Sequence, residues 1–326
     1  MTLPARIFQT TDENFTAHCL EVFRYQANHC QLYAEYLDHL NVDPTTVKTE
    51  DQIPFLPVEF FKSHPIISKS GTPELVFSSS GTTGMVQSQH YVMDLQLYEQ
   101  SFSRAFELNY GRPEDWVILA LLPAYQEREG SSLIYMVDHL INRSKHEESG
   151  YFLYDHARLA QTLVQLRQKK MKTLLIGVTF ALLDFAETYT ISDFSELVVM
   201  ETGGMKGRRK EMIREEVHQR LSAAFGVEHI HSEYGMTELL SQAYSQGKGL
   251  FSCPPWMKIK IRDTNDPFTL LPDGKTGGIN VIDLANLYSC SFIATQDLGK
   301  IHPTGQFEVL GRFDHSDIRG CNLMVE

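Results

Sequence analysis

The residues that offer chemistry begin at Ser78-Ser79-Ser80-Gly81-Thr82-Thr83-Gly84, a run of small, mostly hydroxylated and uncharged side chains. A backbone that wraps a polyanion needs such residues, because its N–H groups must point inward with no side chains in the way. The hydroxyls of Ser79, Ser80, Thr82 and Thr83 add donors for phosphate oxygens. A flexible Ser/Gly linker has the same composition. This run, however, lies between two strand-like segments, Glu74-Leu75-Val76-Phe77 and Gln89-His90-Tyr91-Val92-Met93. A loop between two strands, without a Gly-Lys-[Ser/Thr] ending, argues against a Walker-type site.

Three further segments carry usable chemistry. Thr202-Gly203-Gly204-Met205 closes an apolar run, and its missing Cβ atoms would let a flat ring approach the backbone. Tyr234-Gly235-Met236-Thr237-Glu238 offers an aromatic face, a hydroxyl and a carboxylate. A carboxylate beside a phosphate loop makes sense when a cation bridges the two, and Mg²⁺ suits such a site. In Ile293-Ala294-Thr295-Gln296-Asp297-Leu298-Gly299-Lys300, Asp297 can accept both hydroxyls of a ribose. In Leu310-Gly311-Arg312-Phe313-Asp314, Arg312 can counter a phosphate. Each pattern alone also occurs as ordinary structure.

Other features weigh less. His229 and His231 alternate, so on a strand they point the same way; a His-x-His pair binds metal only with further ligands, and no third is in sight. Lys206-Gly207-Arg208-Arg209-Lys210 opens a helix and either draws in an anion or forms a solvated face. The five cysteines, Cys19, Cys30, Cys253, Cys290 and Cys321, are odd in number and contain no Cys-x-x-Cys. That pattern fits reduced thiols of a cytoplasmic protein. Cys19, Cys30 and Cys290 sit in apolar settings, which leaves Cys253 and Cys321 as candidates for reactivity.

The elements that must position these residues follow from periodicity. The spacing predicts one helix over 12–40, capped by Asp12, and an extended, buried connector at Ile53-Pro54-Phe55-Leu56-Pro57 before Phe60-Phe61-Lys62. Helices are expected at 95–107, 133–140, 156–170, 180–187 and 208–224. Buried strands are expected at 116–123, 172–179, 197–200 and 227–232. Gly130-Ser131-Ser132 opens a helix at the end of a strand, where open α/β sheets place ligands. The alternation implies an α/β fold with a mostly parallel sheet flanked by helices. From about 249 turns crowd together, implying a smaller antiparallel β subdomain. The expected division is an α/β core over 1–248, the antiparallel subdomain over 249–312 and a hinge-like segment over 313–326.

The chain has 326 residues, 42% hydrophobic and 21% charged, as an ordinary globular protein does. Its net charge of −12 argues against nucleic-acid binding, which needs excess Lys and Arg. No apolar run is long enough to span a bilayer. The segment Met1-Thr2-Leu3-Pro4-Ala5-Arg6 lacks the apolar region of a signal peptide, which again points to the cytoplasm.

In order and wording the motifs resemble the adenylate-forming superfamily: the Ser-Gly-Thr-Thr-Gly loop, Tyr-Gly-Met-Thr-Glu, Thr-x-Asp-Leu-Gly and Gly-Arg-x-Asp. Further segments resemble the acyl-protein synthetases, the fatty-acid–protein ligases of bacterial bioluminescence. These are Ile53 to Pro57 with Phe60-Phe61-Lys62, Leu122-Pro123 through Glu127-Arg128-Glu129-Gly130-Ser131-Ser132, Thr202-Gly203-Gly204-Met205-Lys206-Gly207-Arg208, and Ser316-Asp317-Ile318-Arg319-Gly320-Cys321. The likeness covers almost the whole chain.

The resemblance implies the large-domain fold of that superfamily without its mobile C-terminal lid. It implies ATP-dependent conversion of a carboxylic acid, a fatty acid by the closer likeness, into an acyl-adenylate. Ser79, Ser80, Gly81, Thr82, Thr83 and Gly84 would hold the ATP phosphates. Gly203, Gly204 and Tyr234 would frame adenine. Thr237 would bind the α-phosphate, Glu238 the Mg²⁺, and Asp297 the ribose hydroxyls with Arg312 nearby. Cys321 would receive the acyl group for a partner such as a reductase or carrier protein; Gly320 gives its segment freedom, and Arg319 favours the thiolate. One departure stands out: the superfamily has a lysine shortly after this loop, and Met85-Val86-Gln87-Ser88-Gln89-His90 has none. His90 or Lys206 would have to replace it. The same first half-reaction also serves coenzyme A or carrier-protein ligases, and a non-catalytic nucleotide-binding module would keep the cradle without turnover.

Overall fold

In the computed structural model, which describes residues 2–80, 86–128, 130–203 and 212–312, the apolar runs become the centre of a parallel sheet. The chain divides into two compact units, residues 72–254 and residues 1–71 with 255–326.

In the 72–254 unit the strands lie in the order Phe251–Ser252, Ala243–Ser245, His231–Tyr234, Leu197–Thr202, Thr173–Val178, Val117–Leu121, Gly150–Tyr151. The last five are mutually parallel; Ala243–Ser245 runs antiparallel to His231–Tyr234, and Phe251–Ser252 antiparallel to Ala243–Ser245. Every residue of Val117–Leu121 is buried, as a strand covered on both faces requires. The helices His156–Lys169, Thr179–Ala186 and Arg214–Phe225 cover the sheet with Leu159, Leu163, Leu166, Leu182, Phe185, Leu221 and Phe225. The rings of Phe185 and Phe225 stack with centroids 5.7 Å apart. The helices Leu95–Tyr110 and Ser132–Ser144 meet through a second aromatic group, Tyr98, Phe102 and Tyr135, against Phe77. Phe77 belongs to a separate hairpin, Leu75–Ser78 antiparallel to Gln89–Val92.

The other unit carries the antiparallel strands expected from the turn-rich sequence: Leu270–Leu271, Met257–Arg262, Thr276–Asp283, Phe292–Ile301 and Phe307–Arg312, in that spatial order. The proline-bounded connector is buried and extended, with Leu56 and Pro57 parallel to Ile293 and Ala294.

Three features of the N-terminal segment differ from expectation. The helix over 12–40 is two helices, Phe15–His29 and Gln31–His39, with Cys30 extended between them. Asp12 is not the cap; Asn14 holds that position, and its side-chain oxygen accepts from Thr11 N–H instead. The break turns Tyr33 and Tyr36 so that their hydroxyls donate to the carbonyls of Pro54 and Phe55. Apolar spacing continues across Cys30, so periodicity alone does not mark it. These helices also belong with 255–312 rather than with the 72–254 sheet. The tie is the buried Gln26: its amide nitrogen lies 2.9 Å from the carbonyls of Asn286 and Leu287, and its oxygen accepts Ser291 N–H at 2.9 Å.

Candidate functional site

In an open α/β sheet, the loops at the C-terminal ends of the parallel strands converge at one edge and take ligands there. In the 72–254 unit that edge gathers most of the motifs. Leu197–Thr202 ends at Gly203, His231–Tyr234 at Gly235, Thr173–Val178 at Thr179, and Val117–Leu121 leads to the Gly130-Ser131-Ser132 turn. The hairpin that flanks the Ser/Gly loop is attached to this edge at two points. Ser78 N–H donates to the Gly130 carbonyl at 2.8 Å. His90, opposite Phe77 in the hairpin, donates from Nδ1 to the Thr237 carbonyl at 2.9 Å. Ser79 closes the loop's base, accepting Ser88 N–H on its Oγ at 3.0 Å, and Ser80 is exposed. Residues 81–85, and with them Gly81, Thr82, Thr83 and Gly84, lie outside the described residues.

His90 cannot replace the absent lysine. The ring is buried, and burial lowers its pKa to about 4, so it is neutral near pH 7 and donates to a carbonyl. Its part is to join the hairpin to the Thr237 segment. Lys206, the other candidate, lies outside the described residues, as does Gly204.

Gly203 has φ +68°, and no atom of the described residues lies within 4 Å of where its Cβ would stand. Beneath it, Thr179 Oγ1 lies 2.7 Å from the Gly203 carbonyl and 2.8 Å from Glu201 Oε2. Tyr234 is buried, its ring edge-on to Phe251 at 6.0 Å. Thr237 is half-buried, and Glu238 is buried.

Two carboxyls missed by sequence reasoning underlie this edge. Glu201 and Glu233 are both buried on neighbouring strands, with Thr202 the register partner of Glu233. Burial opposes ionisation of Glu201, but His218, Arg214, Ser232 and Thr179 together hold its pKa below the ordinary value. Burial raises Glu233 to about 7; the Glu201 charge adds to this and the Thr202 hydrogen bond opposes it. The available signal was a carboxylate at the end of each of two apolar strands, where a solvent-facing position is not assured.

In the other unit, Asp297 and Arg312 are cross-strand partners, with Arg312 Nε 3.4 Å from Asp297 Oδ1. The Thr295–Gly299 segment lies inside the strand Phe292–Ile301, with a register shift at Leu298/Gly299. Thr295 Oγ1 accepts Asp297 N–H at 3.1 Å and donates to the Ile279 carbonyl at 2.8 Å. The buried Arg262, also missed, donates to the Ile279 carbonyl, Asn280 Oδ1 and the Thr295 carbonyl, and its charge acts on Asp297 and Glu59.

His229 and His231 do not form a pair on one strand. His229 precedes the strand, its ring where a Cβ at Gly247 would come within 3.0 Å, whereas His231 Nδ1 meets the Tyr110 hydroxyl at 3.2 Å. Among the described residues no group of three metal-binding side chains occurs. Mg²⁺ does not require one: it keeps waters and nucleotide oxygens and takes only one or two carboxylates. Glu238, next to Thr237 in the chain, is the one carboxylate of this segment. Cys19, Cys30 and Cys290 are buried, as expected of structural thiols, and burial pushes Cys19 up to about 12. Cys253 is half-buried, and Cys321 lies outside the described residues.

No helix among the described residues is long and apolar enough to cross a membrane. No family model and no curated protein matches the sequence. Solved structures do match in fold. An ATP-bound MatB from Rhodopseudomonas palustris aligns over 76% of this chain and 49% of its own, at 20% identity and a TM-score of 0.55. 2-Hydroxyisobutyryl-CoA ligase in complex with 2-HIB-AMP and CoA aligns over 95% of this chain and 78% of its own in an open conformation, at 15% identity and a TM-score of 0.67. In the thioesterification state the TM-score is 0.68, with 71% of that ligase covered at 16% identity. The chain thus has the α/β fold of the adenylate-forming ligases. It spans about half the length of MatB.

Proposed function

We propose that the protein uses ATP to activate a carboxylic acid, a fatty acid by the sequence resemblance, as an acyl-adenylate and passes the acyl group to a protein thiol, Cys321. The observation that carries the first half is the 2.9 Å hydrogen bond from His90 to the Thr237 carbonyl. It brings the hairpin around the Ser/Gly loop against the segment that bears Glu238, although the two are 147 residues apart in sequence. In this reading Ser79, Ser80, Gly81, Thr82, Thr83 and Gly84 hold the ATP phosphates, with Lys206 supplying the cation that His90 does not. Gly203, Gly204 and Tyr234 frame the adenine, Thr237 binds the α-phosphate, and Asp297 takes the ribose with Arg312 beside it. Mg²⁺ held by Glu238 would neutralise phosphate charge. The substrate carboxylate forms a bond to the α-phosphorus, and the bond to the bridging oxygen breaks, releasing pyrophosphate. The Cys321 thiolate then attacks the acyl carbon, AMP leaves, and a thioester remains. The first step needs alignment and charge neutralisation more than covalent help from the protein.

Coenzyme A is the second reading of the acceptor, favoured because a matching structure is a CoA ligase with CoA bound. Acid-dependent exchange of labelled pyrophosphate into ATP tests the first half, and its absence with a panel of acids leaves a non-catalytic nucleotide-binding module. With labelled acid and ATP, protein-bound label that disappears in Cys321→Ser identifies the thiol; label only on added coenzyme A identifies the alternative.

A further inference from the structure

We propose that Glu233 is a positioning residue whose carboxyl locks the Thr202–Gly203 strand end and the Tyr234–Glu238 turn to each other. This rests on the reading of that edge as a nucleotide site.

The geometry is specific. Thr202 and Glu233 are register partners on parallel strands, and the Thr202 hydroxyl hydrogen-bonds Glu233 Oε2. The other oxygen turns the opposite way along the chain, over the next bend. A Cβ at Gly235 would meet Glu233 Oε1 closely, so the carboxyl in this position packs against the bend and suits glycine there. Gln242 packs on the same spot, its Cγ 3.4 Å from where that Cβ would be. One buried side chain therefore touches both of the segments assigned to adenine and α-phosphate, without itself being exposed to either.

The groups facing Glu233 determine its charge. Glu201 approaches from the neighbouring parallel strand, Tyr98 and Tyr110 from the helix Leu95–Tyr110, and Tyr244 from the antiparallel strand Ala243–Ser245. The basic groups of this region, His218 and Arg214, act on Glu201. Burial and the Glu201 charge bring the Glu233 carboxyl to about 7, so it holds a proton just below neutrality. Ionisation would put a second negative charge beside Glu201, behind the turn that carries Glu238. A neutral carboxyl, or an amide in its place, keeps the Thr202 bond without that charge.

The test measures ATP binding without acid, and the KM for ATP and kcat in pyrophosphate exchange, from pH 5.5 to 9. The variants are Glu233→Gln and Glu233→Ala. In the unaltered protein the dissociation constant and KM for ATP should rise about tenfold per pH unit above neutrality, with kcat changing much less. In Glu233→Gln both should be flat with pH; in Glu233→Ala both should be raised about tenfold or more at every pH. A pH profile retained in Glu233→Gln overturns the inference, as does ATP binding indifferent to pH. If Glu233→Ala fails to fold, Glu233→Gln decides alone. Absence of exchange with every acid, alongside pH-dependent ATP binding that Glu233→Gln flattens, refutes acid activation and leaves the inference standing.

Discussion

Glu233 in the 72–254 unit and Asp297 in the 255–312 strands are both buried carboxyls next to backbone assigned to nucleotide, yet their surroundings are opposite. Asp297 has guanidinium charge from two sides: Arg312 across the strand at 3.4 Å and the buried Arg262. Glu233 has a hydroxyl, tyrosines and another carboxyl. The difference teaches that the side chain's identity does not set its chemistry. A carboxyl compensated by cations is held charged and suits sugar hydroxyls, whereas one left in low dielectric beside a like charge is pushed toward its neutral form.

Removing the compensation should break this comparison most sharply. Arg262→Met removes a donor from three backbone or amide acceptors, of which the Ile279 carbonyl keeps Thr295 Oγ1, and leaves Asp297 short of one cation. Breaking such a buried charged network is expected to cost about 3–5 kcal/mol, read as a lower midpoint in urea. The counterpart on the other side is Thr202→Val, which keeps the shape and removes the only hydroxyl bonded to Glu233 Oε2 among the described contacts. A loss of about 1–3 kcal/mol is expected.

The pH dependence sharpens the contrast further. Glu233 is raised from 4.5 to about 7, so the folded state binds the extra proton, and its contribution is lost as pH rises through that window. His90 and His231 are lowered from 6.5 to about 4, so their contribution is lost as pH falls through theirs. Between these limits Glu233 opposes the two histidines. In Glu233→Gln the acid side of the stability profile should therefore steepen by about 1.4 kcal/mol per pH unit, measured by urea unfolding at pH 5 and 6. The smallest effect is expected at Arg312→Ala. Its side chain is 57% exposed, and a pair so screened contributes under about 1 kcal/mol. A stability change within that limit, together with a higher KM for ATP, would separate a nucleotide role from a structural one.

What the sequence disclosed follows from what kind of pattern carries each feature. The hairpin around the Ser/Gly loop, the strands ending at Gly203 and Gly235, and the buried Leu56-Pro57 connector are local: alternation, apolar runs and prolines mark them where they stand. Strand starts were less legible, and the one expected from Val227 begins at His231. Glu201 and Glu233 were invisible because a carboxylate beside an apolar run reads as the point where a strand surfaces. Their burial depends on Thr179, His218 and Tyr244, which arrive from other elements. Arg262 looked like one more charge on an alternating strand, Met257-Lys258-Ile259-Lys260-Ile261-Arg262, yet its neighbours Lys258 and Lys260 pair with Glu50 and Asp51 while Arg262 turns inward. The break at Cys30 has neither proline nor glycine to announce it.

The glutamine that ties the first long helix to residues 286–291 has a temporal meaning as well. Gln26 emerges from the ribosome 260 residues before Asn286. At translation speeds of about 5–20 residues per second, its partners arrive on the order of tens of seconds later. The 72–254 sheet is complete by then, whereas the apolar sides of Phe15–His29 and Gln31–His39 still await their cover. The apolar faces of the N-terminal helices thus stand uncovered for most of synthesis, waiting on partners made near its end.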